Sequence, residues 1–261
     1  MPAAITCRDL TIRYATETIL TDLALSIPKQ SFTAIIGPNG SGKSTLLKAL
    51  AGLIDSQGTI TIAGQDLHQL SPKERAKQLA YVPQAATYPE GITVTDYVAF
   101  GRYPYQKRFH GLPQTDSRAI NWAIDVCGLS TMASKDLTSL SGGQAQRASL
   151  ALALAQDTTV ILLDEPTTYL DIQYQLDLLD LLNMLATDKG KTVVCVLHDL
   201  NLAARYAQHI IALRPNHLYQ EGSPQEVITS KTLADLFDIT ARIDHDANGT
   251  PLIQSISRIP H

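Results

Sequence analysis

Residues 32–50 read FTAIIGPNGSGKSTLLKAL, and this stretch decides the fold. A continuous, mainly apolar run from Phe32 to Ile36 is typical of a buried parallel strand. The next eight residues, Gly37-Pro38-Asn39-Gly40-Ser41-Gly42-Lys43-Ser44, match the pattern G-x-x-x-x-G-K-[ST], and Ser44 to Leu50 has a helical pattern. Because a strand precedes the glycine-rich segment and a helix follows it, the sequence predicts a phosphate-binding loop.

The residue types in this loop suit a triphosphate. Glycines let the backbone N–H groups point inward, and the helix that follows adds the positive end of its dipole. Lys43 supplies a charge for the β- and γ-phosphates, Ser44 offers a hydroxyl to Mg²⁺, and we expect Thr45 to donate to a further phosphate oxygen. The predicted nucleotide-binding residues are Gly37, Pro38, Asn39, Gly40, Ser41, Gly42, Lys43, Ser44 and Thr45.

The rest of the chain alternates strand-like and helical patterns. Two alternating runs predict half-buried antiparallel strands, and two continuous apolar runs join Phe32 to Ile36 as strands of a sheet covered on both faces. The antiparallel strands are Ile5 to Tyr14 and Ile19 to Ile27, and the parallel ones are Val160 to Leu163 and Val193 to Leu197. Asp171 to Thr187 is predicted to be a buried crossover helix. After His198 the pattern indicates a helix (Leu200 to Gln208), two strands (Ile210 to Leu213 and Leu218 to Gln220), two short helices and a strand-like tail.

A second glycine-containing loop precedes a long helical pattern. Leu140-Ser141-Gly142-Gly143-Gln144 is followed by helix-forming residues up to Ala155. Ser141 and Gln144 have the spacing of a capping box, which indicates a well-capped helix. Two glycines and a hydroxyl at a helix N-terminus also favour a second anion site. The residues by themselves leave both interpretations open.

The two loops, together with Val160-Ile161-Leu162-Leu163-Asp164-Glu165, resemble the nucleotide-binding subunit of ATP-binding cassette (ABC) transporters. The resemblance extends from Tyr14 to about Glu226. It implies an α/β fold with a RecA-like P-loop NTPase core, an antiparallel β subdomain and an α-helical subdomain at about 86–155. A single ABC ATPase domain would then occupy 1–261, with a C-terminal extension at about 226–261.

The resemblance also implies a head-to-tail dimer with ATP and Mg²⁺ between the subunits. Ser141, Gly142, Gly143 and Gln144 of one subunit would complete the ATP site of the other, which we expect to be an identical copy. Asp164 would orient Mg²⁺, Glu165 would act as the base for the attacking water, and His198 would contact the γ-phosphate. Gln84 would reach both Mg²⁺ and the water, Tyr14 would stack on adenine, and Asp171 would communicate across the dimer. The family more commonly has Ser-Ala-Leu-Asp at the positions that end in this aspartate, so Tyr169 is a departure from its pattern.

Three further segments resemble importers of iron-siderophore complexes, although haem and cobalamin importers share much of the pattern. They are residues 91–105, 164–172 and 198–206. The implied partners are multi-spanning permease subunits and, indirectly, an external substrate-binding protein. The chain would then lie peripherally on the cytoplasmic face of the inner membrane. Arg102, Tyr103 and Pro104 are expected near the groove that accepts a cytoplasmic permease helix.

Composition narrows the function classes. Lys and Arg number 21 against 25 Asp and Glu, so the net charge of -4 argues against a nucleic-acid partner. No stretch approaches the roughly 18 apolar residues of a membrane span, and the first residues lack the pattern of a secretory signal. The three cysteines, Cys7, Cys127 and Cys195, show no metal or redox spacing and are predicted to be reduced packing residues. A single P-loop and an acidic balance disfavour the alternative, a soluble ABC-type ATPase that acts on ribosomes or DNA.

Overall fold

The computed structural model describes residues 2–14, 17–85, 88, 90–106, 114–168 and 170–259. The strands in these residues are β1 (Ala3–Tyr14), β2 (Glu17–Pro28), β3 (Phe32–Ile36), β4 (Gln57–Ile62), β5 (Gln65–Asp66), β6 (Leu79–Val82), β7 (Val160–Leu163), β8 (Thr192–Val196), β9 (His209–Arg214), β10 (His217–Gly222), β11 (Ile239–His245) and β12 (Pro251–Arg258). The α-helices are α1 (Lys43–Leu50), α2 (Pro72–Gln78), α3 (Val94–Ala99), α4 (Gln114–Val126), α5 (Gly142–Ala155), α6 (Ile172–Thr187), α7 (Leu200–Tyr206), α8 (Pro224–Val227) and α9 (Ser230–Phe237).

A six-stranded sheet forms the centre of the fold, in the order β10-β9-β3-β8-β7-β6. Neighbours from β9 to β6 pair in parallel, and β10 adds an antiparallel edge. β3 lies between β8 and β9, so the strand that precedes the glycine-rich loop is central and all five of its residues are buried. The predicted parallel strands and the crossover helix between β7 and β8 are confirmed.

Both faces of this sheet are covered, because successive residues of each strand enter different cores. On β7, Ile161 and Leu163 join a core with helices α3 to α7 and α9. Val160 and Leu162 join a second core, formed with α1 and the antiparallel sheet. That sheet has the order β2-β1-β4-β5, and its first two strands are the antiparallel pair expected from the sequence. Continuous apolar strands are therefore the consequence of a sheet between two cores.

The helices inserted between β6 and β7 include two long ones, α4 and α5, and α5 is the helix predicted after Ser141. The structure adds the short helix α3, whose capping box joins Thr93 and Asp96. Leu137 N donates to Ile92 O at 2.9 Å, which ties the start of α3 to the segment before Ser141. In the described part of the chain, no helix is both long and apolar enough to cross a membrane.

Five elements of the described residues were missed by the sequence analysis: β4, β5, β6, α2 and α3. β6 has four residues, Leu-Ala-Tyr-Val, and Tyr81 is only half-buried, so the run is too short and mixed to predict this edge strand of the six-stranded sheet. α2 has no buried residue and is held by its capping box, in which Ser71 pairs with Glu74. The strand-like tail is a hairpin of β11 and β12, which contacts α7 and α9.

Candidate nucleotide-binding and hydrolysis site

Four chain segments that carry predicted site residues meet at one edge of the central sheet. The glycine-rich loop follows β3, Gln84 follows β6, Asp164 and Glu165 follow β7, and His198 follows β8. Since β3, β6, β7 and β8 are parallel, their carboxyl ends lie on the same side. Ligand sites of open parallel sheets lie outside these ends.

The glycines of the loop are required by its geometry. Gly37 has φ +152°, and a Cβ there would lie 2.4 Å from the carbonyl oxygen of Leu213. Gly42 caps α1 with φ +90°, in the left-handed region where a side chain causes strain. Gly40, with φ +80°, has open space around it. The loop therefore packs against β9 on one side and leaves room for a ligand on the other.

Lys43 lies inside this loop and is only 5% exposed. Its Nζ donates to the carbonyl oxygens of Gly37 at 2.9 Å and Pro38 at 3.0 Å. Burial lowers the pKa of Lys43, and the negative charges of Glu165 and Asp164 oppose that shift. An ammonium group has three donors, so one remains for a phosphate oxygen after these two bonds.

Ser41 provides a test of whether the loop suits an anionic ligand. Its hydroxyl is buried and has no hydrogen-bond partner among the described residues. A buried hydroxyl without a partner costs free energy, because it has lost its water without gaining a bond. Phosphate oxygens in the loop would supply the missing acceptor. The residues present therefore fit a bound nucleotide.

Ser44 and Asp164 form the second part of the site. Ser44 Oγ donates to Asp164 Oδ1 at 2.7 Å, and Tyr81 OH donates to Asp164 Oδ2 at 3.3 Å. Asp164 is 3% exposed, and burial, with the charge of Asp164 next in importance, raises the pKa of Tyr81. A hydroxyl and a carboxylate are oxygen ligands of the kind that Mg²⁺ takes together with phosphates and water. This donor set fits the predicted ion.

Tyr81 was missed by the sequence analysis. It lies three positions before Gln84, but a tyrosine inside a strand is more often packing than a site residue. Its hydrogen bond orients the Asp164 carboxylate, so Tyr81 supports the residue beside the expected ion.

Two other predicted residues contact the Glu165 carboxylate. Gln84 Nε2 donates to Glu165 Oε2 at 2.5 Å, and His198 Nε2 lies 2.6 Å from Glu165 Oε1. Thr168, which sequence analysis did not single out, donates to Glu165 Oε2 at 3.4 Å. Glu165 has φ +48°, a left-handed conformation that is unusual for a residue with a long side chain. Strained backbone of this kind occurs at functional sites, where the surroundings hold it in place.

Ser141 lies at the N-terminus of α5 and is exposed. Its Oγ accepts from Gln144 N at 3.4 Å, and Gln144 Oε1 accepts from Ser141 N at 3.0 Å, so the predicted capping box is confirmed. The hydroxyl still has its proton to donate, and Gly142 beside it has open space. Among the described residues, the hydrogen bonds of the Ser141 side chain are local, and a ligand at this hydroxyl would approach from outside the fold.

Tyr14 and Asp171 lie at exposed positions. Tyr14 ends β1 and is 48% exposed, and Tyr169 lies outside the described residues. Asp171 caps α6 by accepting from Tyr174 N at 3.0 Å.

The cysteines are buried and free, as predicted, and burial raises the pKa values of Cys7 and Cys127 to about 12.

The segment expected to meet a permease helix is only partly exposed. Tyr103 is 72% exposed, whereas Arg102 and Pro104 are buried. The guanidinium of Arg102 bonds Asp116 through Nε at 2.9 Å and donates through Nη1 to Ala155 O at 2.8 Å. Arg102 therefore holds this segment to α4 and to the end of α5, and Tyr103 is the residue of the three that is open to a partner.

Comparison with known proteins identifies the family of this chain. The sequence pattern of the ABC transporter family matches residues 20–168. The probable siderophore transport system ATP-binding protein YusV of Bacillus subtilis (strain 168) is 44% identical over 261 residues, which cover 99% of this chain and 93% of that protein. The chain belongs to the ABC transporter family. It is an ATP-binding subunit and an ATPase.

Two solved structures confirm the fold. A putative metal-chelate type ABC transporter in an inward-facing conformation has a TM-score of 0.82 and 29% identity, and the match covers 98% of this chain and 97% of that one. The dimeric structure of MJ0796, a bacterial ABC transporter cassette, has a TM-score of 0.75 and 29% identity, with coverage of 84% and 98%. The predicted α/β P-loop core of the ABC ATPase type is confirmed.

Proposed function

We propose that this chain is the ATP-hydrolysing subunit of an importer that takes up iron-siderophore or related metal-chelate complexes. The observation that carries the proposal is the convergence of Gln84 and His198 on Glu165, directly after the carboxylate that bonds Ser44. The cargo is supported by similarity to YusV, a probable siderophore transport protein, and to a metal-chelate type transporter.

The site residues divide the work of hydrolysis. Lys43 and the loop N–H groups bind the β- and γ-phosphates, and Tyr14 stacks on adenine. Ser44, Asp164 and Gln84 would hold Mg²⁺, which would neutralise charge on the phosphates. Glu165 takes a proton from the attacking water, and His198 orients the γ-phosphate beside it. The negative charge of Glu165 lies close enough to Lys43 to influence its pKa, which supports a shared site.

The exposed hydroxyl of Ser141 supports a dimer in which each ATP touches both subunits. Ser141, Gly142, Gly143 and Gln144 of one copy would bind the nucleotide on Lys43 of the other. Asp171, which caps α6, would lie at the same interface. Because the γ-phosphate is contacted from both sides, ATP favours the closed dimer, and hydrolysis removes the bridging charge. The dimeric structure of MJ0796, a similar cassette, supports the formation of a dimer.

In this proposal the dimer is an identical pair attached to permease subunits at the cytoplasmic face of the inner membrane. An external binding protein delivers the cargo. Tyr103 and the neighbouring Phe100, which is 52% exposed, offer the permease an aromatic contact.

Transport of labelled cargo tests the proposal. Cells without this chain should lose uptake of ferric siderophore, and the wild-type gene should restore it while a Glu165→Gln gene should not. The alternatives are haem and cobalamin, which are assayed in the same cells. Normal siderophore uptake with loss of haem or cobalamin uptake would reassign the cargo. Co-purification of ribosomal RNA or DNA in place of a multi-spanning membrane protein would contradict transport altogether.

A further inference from the structure

The side-chain amide of Asn201 bonds the C-terminal hairpin of β11 and β12 to α7, the helix that follows His198. Ile253 N donates to Asn201 Oδ1 at 2.8 Å, and Asn201 Nδ2 donates to Ile253 O at 3.3 Å. These residues are 52 positions apart. Both backbone groups of Ile253 therefore face Asn201 and not the partner strand, in which Ile243 lies opposite. One side chain thus pairs both backbone groups of Ile253 on the free edge of β12.

Asn201 lies in the first turn of α7, three residues after His198. The helix begins at Leu200, and its cap is Asp199, whose Oδ1 accepts from Leu202 N at 3.0 Å. On the other side of His198, Leu197 N donates to Ile35 O at 3.2 Å in the sheet. The two residues His198 and Asp199 therefore span a short connection that is fixed at one end by the sheet and at the other by α7.

The helix α7 packs against the core through Ala203, Ala204 and Tyr206, and the hairpin covers its other side. Pro251 and Ile253 are buried, and β12 packs on α7. His198 is itself exposed over about half of its side chain, so its own packing contributes little to its placement. The 2.6 Å approach of His198 Nε2 to Glu165 Oε1 is thus set largely by the ends of the connection.

We propose that Asn201 is a positioning residue for hydrolysis: it locks the first turn of α7 to the β12 edge and so holds His198 against Glu165. This inference rests on the proposed function and gives the C-terminal hairpin a part in it. An asparagine suits the position because its amide supplies both the acceptor and the donor that Ile253 requires. Small displacements of a group near reacting atoms lower the rate of the chemical step more than they weaken binding.

The test uses the purified complex with its permease and measures kcat, KM for ATP and the ATP affinity. Asn201→Leu keeps the size of the side chain and removes both bonds. Ile253→Pro removes the N–H from the hairpin side, and Ile253→Val is its control, since it keeps the N–H and most of the buried side chain. Asn121→Leu, at an exposed position on α4, controls for the change from Asn to Leu.

Asn201→Leu and Ile253→Pro should each lower kcat about tenfold, with KM and ATP affinity unchanged. The double variant should be no slower than either single one, because both changes break the same contact. The two controls should stay within about twofold of wild type. The inference is overturned by wild-type kcat in Asn201→Leu, by effects that multiply in the double variant, or by a loss of ATP affinity as large as the loss of rate. If wild type and Glu165→Gln hydrolyse ATP equally, the proposed function itself has failed.

Discussion

The hydroxyl of Ser44 donates a 2.7 Å hydrogen bond to Oδ1 of Asp164, which lies 120 positions later in the chain. This contact joins the glycine-rich loop after β3 to the carboxylate after β7, across the intervening strand β8. It places the two protein oxygens proposed to bind Mg²⁺ side by side. Glu165 follows directly, so the positions of ion and base are set by one strand end.

Removal of the Ser44 hydroxyl tests the proposed ion site. Ser44→Ala should lower ATP hydrolysis by about 100-fold and raise the Mg²⁺ concentration needed for half-maximal rate, because one ligand oxygen is lost. Ser130→Ala is a matched control, since Ser130 donates to Asp125 at an exposed site. An unchanged Mg²⁺ dependence in Ser44→Ala would show that this hydroxyl is not a ligand.

Substitution of Glu165 separates binding from hydrolysis. Glu165→Gln keeps the shape of the side chain but cannot accept the proton, so hydrolysis should fall by about 10² to 10⁴ while ATP binding persists. Light scattering with ATP should then show an accumulated dimer. The same change at exposed Glu90 should leave the rate unaltered. Wild-type hydrolysis by Glu165→Gln would exclude this residue as the base.

Ser141 can be compared with another serine that has the same local role. Ser71 and Ser141 both form capping boxes, with Glu74 and Gln144 respectively. Alanine at either position should lower the free energy of unfolding by about 1 kcal/mol, measured by urea denaturation. ATP hydrolysis should fall only in Ser141→Ala. If both variants hydrolyse ATP at the same rate, Ser141 acts only as a helix cap.

The buried pair of Arg102 and Asp116 should dominate the stability of its segment. Arg102→Met leaves Asp116, 2% exposed, without its counterion, so the free energy of unfolding should drop by about 3 to 5 kcal/mol. Arg118→Met, at an exposed position on α4, should change it by less than about 0.5 kcal/mol. If Arg102→Met lowers the free energy of unfolding no more than Arg118→Met does, water must reach the pair of Arg102 and Asp116.

Features decided by local sequence were predictable. The loop after β3, the capping box of Ser141 and the apolar strand before Asp164 each depend on residues within about ten positions, so their patterns can be read directly. The continuous apolar runs also predicted parallel strands covered on both faces, whereas the order of these strands in the sheet is known only from the structure. The resemblance to a known family supplied the roles of Gln84, Glu165 and His198, and these stay predictions.

Features decided by tertiary contacts were not predictable. Arg102 and Asp116 are 14 positions apart in the sequence, and their ion pair is buried. An arginine outside a long helix or strand is normally exposed, so its sequence gives no sign of this pair. Tyr81 and Asn201 carry no motif of their own, and their roles depend on Asp164 and on Ile253, which lie far along the chain. The strand β6 gained its place from neighbouring β7 and not from its own four residues.

A structure of Glu165→Gln with ATP and Mg²⁺ bound tests the central claim most directly. The account predicts a dimer in which Ser141 Oγ of one copy lies about 3 Å from a γ-phosphate oxygen of the ATP held by Lys43 of the other. A structure with nucleotide on Lys43 and every Ser141 remote from every ATP, in its own or the neighbouring chain, would contradict it.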